Sequence, residues 1–199
     1  MAESRRTTIA ILGENMKKSF EKKTVIFGIT GGIAAYKCCD VVRGLVKAGA
    51  DVHVILTKAA EHFVTPLTLQ TLSQNPVHTE MFSLIQEAEI GHISLADRAH
   101  MIVIAPATAD IIAKAACGIC DELLLTVVCA TKAPVVFAPS MNVHMWENPI
   151  TQENIKRLKK IGYHFIDPAT GDLACGYQGK GRLPEPDEIL RSIEKIMKR

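Results

Sequence analysis

Thr24-Val-Ile-Phe-Gly-Ile-Thr-Gly-Gly-Ile-Ala-Ala-Tyr-Lys37 is the stretch from which the rest of the chain can be read. Thr24 to Ile29 is a short, almost wholly apolar run, as expected of a strand buried on both faces. Thr30-Gly31-Gly32 then supplies a tight turn, and a helix is predicted from Ile33 to Ala48, stopped by Gly49. Its apolar stripe is read as Ile33, Tyr36, Val41, Leu45 and Val46. The alternation repeats. Strands are predicted over Asp51–Thr57, Ala99–Ala105, Pro134–Ala138 and Tyr163–Ile166. Helices are predicted over 110–118, 121–131 and Thr151–Ile161, the last closed by Gly162. Strands alternating with helices, joined by right-handed crossovers, make an α/β doubly wound parallel sheet with helices on both faces.

Outward from that body, residues 167–184 carry Pro168, Gly171, Gly176, Gly179, Gly181 and Pro184 with no periodicity. They read as a loop, and because Ile189, Leu190, Ile193 and Ile196 return at helical spacing, the loop is pinned at both ends like a lid. Residues 75–91 give no clear assignment. Residues 1–22 are expected to be a tail and 23–199 a single domain. Apolar residues are 48% and charged residues 22% of the 199, which excludes a disordered or disulfide-scaffold chain. A net charge of +2 without a basic face argues against nucleic acid. No run approaches the roughly 20 apolar residues of a membrane span, and Ile9–Leu12 is too short for a signal-peptide core. Six cysteines, two of them adjacent, fit reduced thiols and a cytoplasmic location.

In an open parallel sheet, ligands bind beyond the carboxyl ends of the strands. The loops there are Thr30-Gly31-Gly32, Thr57-Lys58, Pro106-Ala107-Thr108-Ala109-Asp110, Pro139-Ser140-Met141-Asn142 and the glycine-rich segment. Glycines at a helix N-terminus let backbone amides approach an anion. The spacing is neither a dinucleotide fingerprint nor a phosphate-loop motif, so a bare tight turn stays open as a reading. Cys117-x-x-Cys120 has no second ligand pair and is read as helix core, with no metal site expected. His92 stands before a helix, His144 is placed in a loop, and Cys175 sits in the glycine-rich segment, where a thiol could donate a proton.

Taken together, Thr30-Gly-Gly-Ile-Ala-Ala-Tyr-Lys37, Gly91-His-Ile-Ser-Leu95, Ala105-Pro-Ala-Thr-Ala-Asp110, Pro139-Ser-Met-Asn-Val-His-Met-Trp146 and Ala174-Cys-Gly-Tyr-Gln-Gly-Lys-Gly-Arg182 resemble the homo-oligomeric flavin-containing cysteine decarboxylases. The resemblance implies a flavodoxin/Rossmann-like fold and FMN as cofactor. It implies phosphopantothenoylcysteine as substrate, decarboxylated to phosphopantetheine in coenzyme A biosynthesis through a thioaldehyde and an enethiol. It further implies that Thr30, Gly31, Gly32, Ile33, Thr57, Thr108, Ala109, Asp110, Ile111 and Ser140 line the flavin, and that Asn142 and Met145 hold the substrate. His92 becomes the acid-base group of the oxidative half and Cys175 the proton donor of the reductive half. The assembly implied is a homotrimer or a multiple of trimers, with the flavin near a subunit interface. Related branches act on peptidyl cysteine, prenylate flavin or bind a phosphatase. Two departures stand out: Asp110 replaces a common asparagine and can donate no hydrogen bond when ionised, and the chain is expected to carry the decarboxylase without a following synthetase domain.

Overall fold

The computed structural model describes residues 19–81, 91–172, 176 and 178–198. Five parallel strands, β1 (Thr24–Ile29), β2 (Asp51–Leu56), β3 (Met101–Ala107), β4 (Val135–Pro139) and β5 (His164–Phe165), form one sheet in the order β2-β1-β3-β4-β5. Strands β1 to β4 are buried on both faces, so successive side chains feed two different cores, while the two residues of the edge strand β5 are half-buried. Val25, Phe27 and Ile29 pack into one core with Val52, Val54 and Leu56, whereas Ile26 joins Ile102, Ile104 and Phe137 in the other. The first core is covered by α1 (Ala35–Lys47), α2 (Pro66–Ser73) and α8 (Pro186–Met197). The second is covered by α3 (Gly91–Arg98), α4 (Ala109–Cys117), α5 (Leu123–Ala130) and α7 (Pro149–Lys160), with the short α6 (Val143–Glu147) at its edge. This is the doubly wound α/β fold. Its order reverses between β1 and β3, where the crossovers leave to opposite faces and a crevice opens.

Several expectations shift. Helix α1 starts at Ala35, and its buried residues are Ala35, Cys38, Val41, Val42 and Leu45. Ile33 and Tyr36 are more than half exposed and belong to no core; Ile33 lies before the helix, and within its first turn it is Ala35 that faces the body. Helix α2 was not foreseen because it buries only Leu69 and Ser73, yet it is well capped: Pro66 opens it and the Thr65 hydroxyl accepts the Thr68 N–H at 3.3 Å. Phe20, inside the expected tail, is wholly buried in the first core, so the body begins before it.

The glycine-rich segment is not a bare loop. Its described parts form a two-stranded antiparallel hairpin, β6 (Ala169–Asp172) with β7 (Gln178–Arg182). Cys117 and Cys120 are not helix core either. Gly118 ends α4 in the left-handed region with φ of 70°, and both thiols are exposed at the turn into α5. His144 lies in α6, not in a loop. Cys38, Cys39, Cys117, Cys120 and Cys129 are all unbridged. Among the described residues no helix is long and apolar enough to cross a membrane.

Candidate functional site

The turn after β1 is fixed from the side by a threonine. The Thr30 hydroxyl, buried, donates to the Pro106 carbonyl oxygen at 2.5 Å and accepts the Thr108 N–H at 3.2 Å. The first and third loops are thereby locked together, and Thr108 in turn caps α4 by accepting the Ile111 N–H at 3.3 Å. Gly31 is required by a close approach: a Cβ there would stand 2.5 Å from the Ala59 side chain. At Gly32 a Cβ would meet only ordinary contacts, the Pro106 ring at 3.8 Å and the Thr108 methyl at 4.0 Å.

Beyond these loops lies a cavity of about 300 Å³. One wall is Gly31, Gly32 and Ile33; the next is Thr108 and Ala109; the opposite wall is Ser140, Met141, Asn142 and Met145 with Gly181 of β7. The opposite wall is also pinned. Asn142 accepts the His144 N–H on its side-chain oxygen at 2.8 Å, capping α6, and the Met141 N–H donates to the Gly181 carbonyl at 2.9 Å. Gly181, with φ of 154°, presses so close to the Met141 carbonyl oxygen that a Cβ would collide with it.

Thus Gly31, Gly32, Ile33, Thr108, Ala109, Ser140, Asn142 and Met145, drawn from three separated motifs, are brought to one cavity. The others stand around it. Thr30 holds the loops from behind. Ile111 is buried in the second core. Thr57, just past β2, is buried with a hydroxyl oxygen that has no partner among the described residues. Asp110 is exposed, with its carboxylate 3.5 Å from Lys114 one turn on. His92 lies in the first turn of α3, half-buried, and is not among the cavity's lining residues. Cys175 lies outside the described residues. Met141 and Gly181 were not foreseen as lining. Met141 could have been found from its place between Ser140 and Asn142, whereas Gly181 needs the hairpin register.

The site's electrostatics favour an anion beside the first loop. Helix α1 begins there with no side-chain cap and no acidic residue in its first turn, so no side chain offsets its N-terminal dipole, although the Ala35 and Lys37 N–H groups already donate to the Gly32 and Ala34 carbonyls. Among the described residues no cluster of His, Cys, Asp or Glu could hold a metal ion.

A family model described as Flavoprotein matches residues 14–198. The coenzyme A biosynthesis bifunctional protein CoaBC of Bacillus subtilis (strain 168) is 49% identical over 173 residues, which are 87% of this chain and 43% of that protein. The chain thus spans less than half the length of the curated relatives it matches. A solved PPC decarboxylase mutant complexed with pantothenoylaminoethenethiol superposes with a TM-score of 0.79 at 29% identity, covering 90% of this chain and 100% of that one. The FMN binding protein AtHal3 superposes at 0.75 with 30% identity, covering 88% of this chain and 97% of that one.

Proposed function

The chain belongs to the flavoprotein family, and from that premise we propose that it is an FMN-dependent decarboxylase converting phosphopantothenoylcysteine to phosphopantetheine and carbon dioxide in coenzyme A biosynthesis. The observation that carries the reading is the convergence of three motifs on one cavity at the switch point of the sheet, with a backbone-lined wall facing an amide-bearing wall.

The residues fit FMN on two counts. Gly31 and Gly32 bring bare backbone to the cavity wall, so a planar ring can lie against it. The uncapped start of α1 and the buried, unpartnered Thr57 hydroxyl offer donors to a phosphate or ribityl chain. Gly31, Gly32, Ile33, Thr108, Ala109 and Ser140 would hold it directly, with Thr30 and Ile111 supporting their loops and Asp110 at the rim. When bound, FMN supplies a reversible two-electron oxidation, taking a thiol to a thioaldehyde and returning the electrons to an enethiol.

The chain's own residues bind, orient and move protons. Asn142, its side-chain oxygen engaged in the α6 cap, directs its NH₂ end to the substrate carboxylate, and Met145 packs beside the substrate. With the carboxylate held β to a C=S group, the electrons released with carbon dioxide spread onto sulfur. His92 takes the proton lost in the oxidative half, imidazole being suited to this near neutral pH. Cys175 donates a proton to the enethiol carbon in the reductive half. Because His92 does not line the cavity of its own chain, a second copy brings it there, in a homotrimer or multiple of trimers. The active body is one domain over 23–199 together with Phe20 ahead of it, which is buried in the first core, and it works in the cytoplasm.

The test is direct. The FMN-loaded protein, mixed with synthetic phosphopantothenoylcysteine, should release one carbon dioxide per phosphopantetheine, followed by mass spectrometry. Release of carbon dioxide only from a peptide ending in cysteine would assign it instead to the peptidyl branch.

A further inference from the structure

Beside the cavity, a single carboxylate oxygen joins two of its walls. Glu185 stands immediately before α8, and its Oε1 accepts from Lys37 Nζ at 2.8 Å and from Arg182 Nη2 at 2.7 Å. Lys37 lies in the first turn of α1, four residues after Ile33 of the first wall. Arg182 follows Gly181, the β7 residue of the opposite wall. The Lys37 side chain is only 13% exposed while Glu185 is 60% exposed, so the lysine stem is packed and its ammonium meets the carboxylate at the surface. The Lys37 ammonium, opposed by some burial and helped by Arg182, holds the Glu185 carboxyl below its ordinary range. The bridge is therefore charged at neutral pH.

The two walls have different origins, which gives the bridge its meaning. Gly31–Ile33 is anchored to β1 and β3 through Thr30, while Gly181 belongs to a hairpin outside the main sheet. The hairpin reaches the fourth loop through the backbone bond from Met141 N–H to the Gly181 carbonyl. It reaches α1 through Glu185.

We propose that Glu185 is a positioning residue for substrate binding: by bridging Lys37 and Arg182 it sets the separation between the Gly31–Ile33 wall and the Gly181 wall. The bridge stands on geometry alone, and its consequence for substrate rests on the decarboxylase reading above. Two surface charges without this role would contribute independently and weakly.

The test uses the FMN-loaded protein with Glu185→Gln, Glu185→Asp, Lys37→Met and the double variant Lys37→Met/Glu185→Gln. Amide hydrogen exchange over 178–182, measured without substrate, should quicken about fivefold in Glu185→Gln while 24–29 and the flavin absorbance stay as in the parent. KM for phosphopantothenoylcysteine should rise about fivefold with kcat retained. Glu185→Asp, which keeps the charge, should recover most of both effects. The double variant should be no worse than the more affected single, because both remove the same bridge. Parental exchange and KM in Glu185→Gln, no recovery in Glu185→Asp, or additive losses in the double variant would each overturn the proposal. Faster exchange in a protein whose parent fails to turn over the substrate would sink the decarboxylase reading and the substrate role with it, leaving only a bridge of structural consequence.

Discussion

Thr30 and Pro106, 76 residues apart in sequence, are joined by a buried hydrogen bond from hydroxyl to carbonyl. The same hydroxyl oxygen accepts the Thr108 N–H. Thr30→Val keeps the shape and strands one carbonyl and one amide away from water. At about 1–3 kcal/mol for the unsatisfied buried carbonyl, and less for the part-buried Thr108 amide, a loss of about 2–4 kcal/mol in unfolding free energy is expected. Urea denaturation measures it, and an unchanged midpoint would mean that the two loops are held by something else.

Gly181→Ala should be the costlier of two glycine substitutions. Its Cβ would fall on the Met141 carbonyl oxygen, whereas at Gly162, with φ of 99°, nothing lies within 4 Å. Gly162→Ala should cost only the backbone strain, about 1–2 kcal/mol. Gly181→Ala must also part β7 from the fourth loop, so KM for the substrate should rise as well. Equal thermal shifts and an unchanged KM for Gly181→Ala would contradict the close approach.

Stability should fall in mild acid because of His53. Burial lowers its imidazole pKa, Asp51 opposes this at 3.0 Å, and Arg98 adds to the lowering. Asn75 and His78 pack around the same group. With the folded pKa below the unfolded value of about 6.5, the unfolded chain takes up the proton first. The contribution is therefore complete above about pH 6.5 and is lost as pH falls through the folded value. Asp51 adds a second, lower window: burial raises its pKa, but hydrogen bonds from Asn75 and His53 outweigh that, so its contribution is lost below about pH 3.9. Urea midpoints at pH 7.5 and pH 5 should differ in the parent and converge in His53→Gln. No difference in the parent would remove His53 as the cause.

The two proton-handling groups should be separable by where turnover stops. His92→Asn is expected to bind FMN with the parental absorbance and release no carbon dioxide. Cys175→Ser is expected to release carbon dioxide for one turnover and to accumulate a product two mass units lighter than phosphopantetheine, because a serine hydroxyl is a far weaker acid than a thiol of pKa about 8.5. Parental rates of phosphopantetheine formation in either variant would strike that residue from the mechanism.

The parallel strands β1, β3 and β4 were legible because both of their faces are apolar, and Thr24–Ile29 shows it in six residues. The cavity was legible as a set of loops, since Gly31, Thr108 and Ser140 each follow a strand. What escaped has physical reasons. Gln178-Gly-Lys-Gly-Arg182 forms β7 with no apolar alternation, its pairing resting on backbone bonds and on Val143 packed beside Gly179. Ile33 and Tyr36 match the helical period yet join no core: Ile33 precedes α1 and lines the cavity, and Tyr36 is exposed. His92 cannot be assigned a site from one chain, because its helix packs on α5, away from the cavity walls, with the Thr131 hydroxyl bonded to the Ala96 carbonyl.

The composition of the cavity also bears on how its selectivity could be changed. Gly31, Gly32, Ala109 and Gly181 meet an occupant almost entirely with peptide groups, and a mould made of main chain offers laboratory evolution nothing to exchange without moving the mould. Adjustable chemistry is confined to Ile33, Thr108, Ser140, Met141, Asn142 and Met145, and Thr108 is already committed to capping α4. Of these, Met145 is about half exposed, unbranched and able to refill a reshaped space. A library seeking activity on a different acyl group should begin at Met145 and leave the glycines alone.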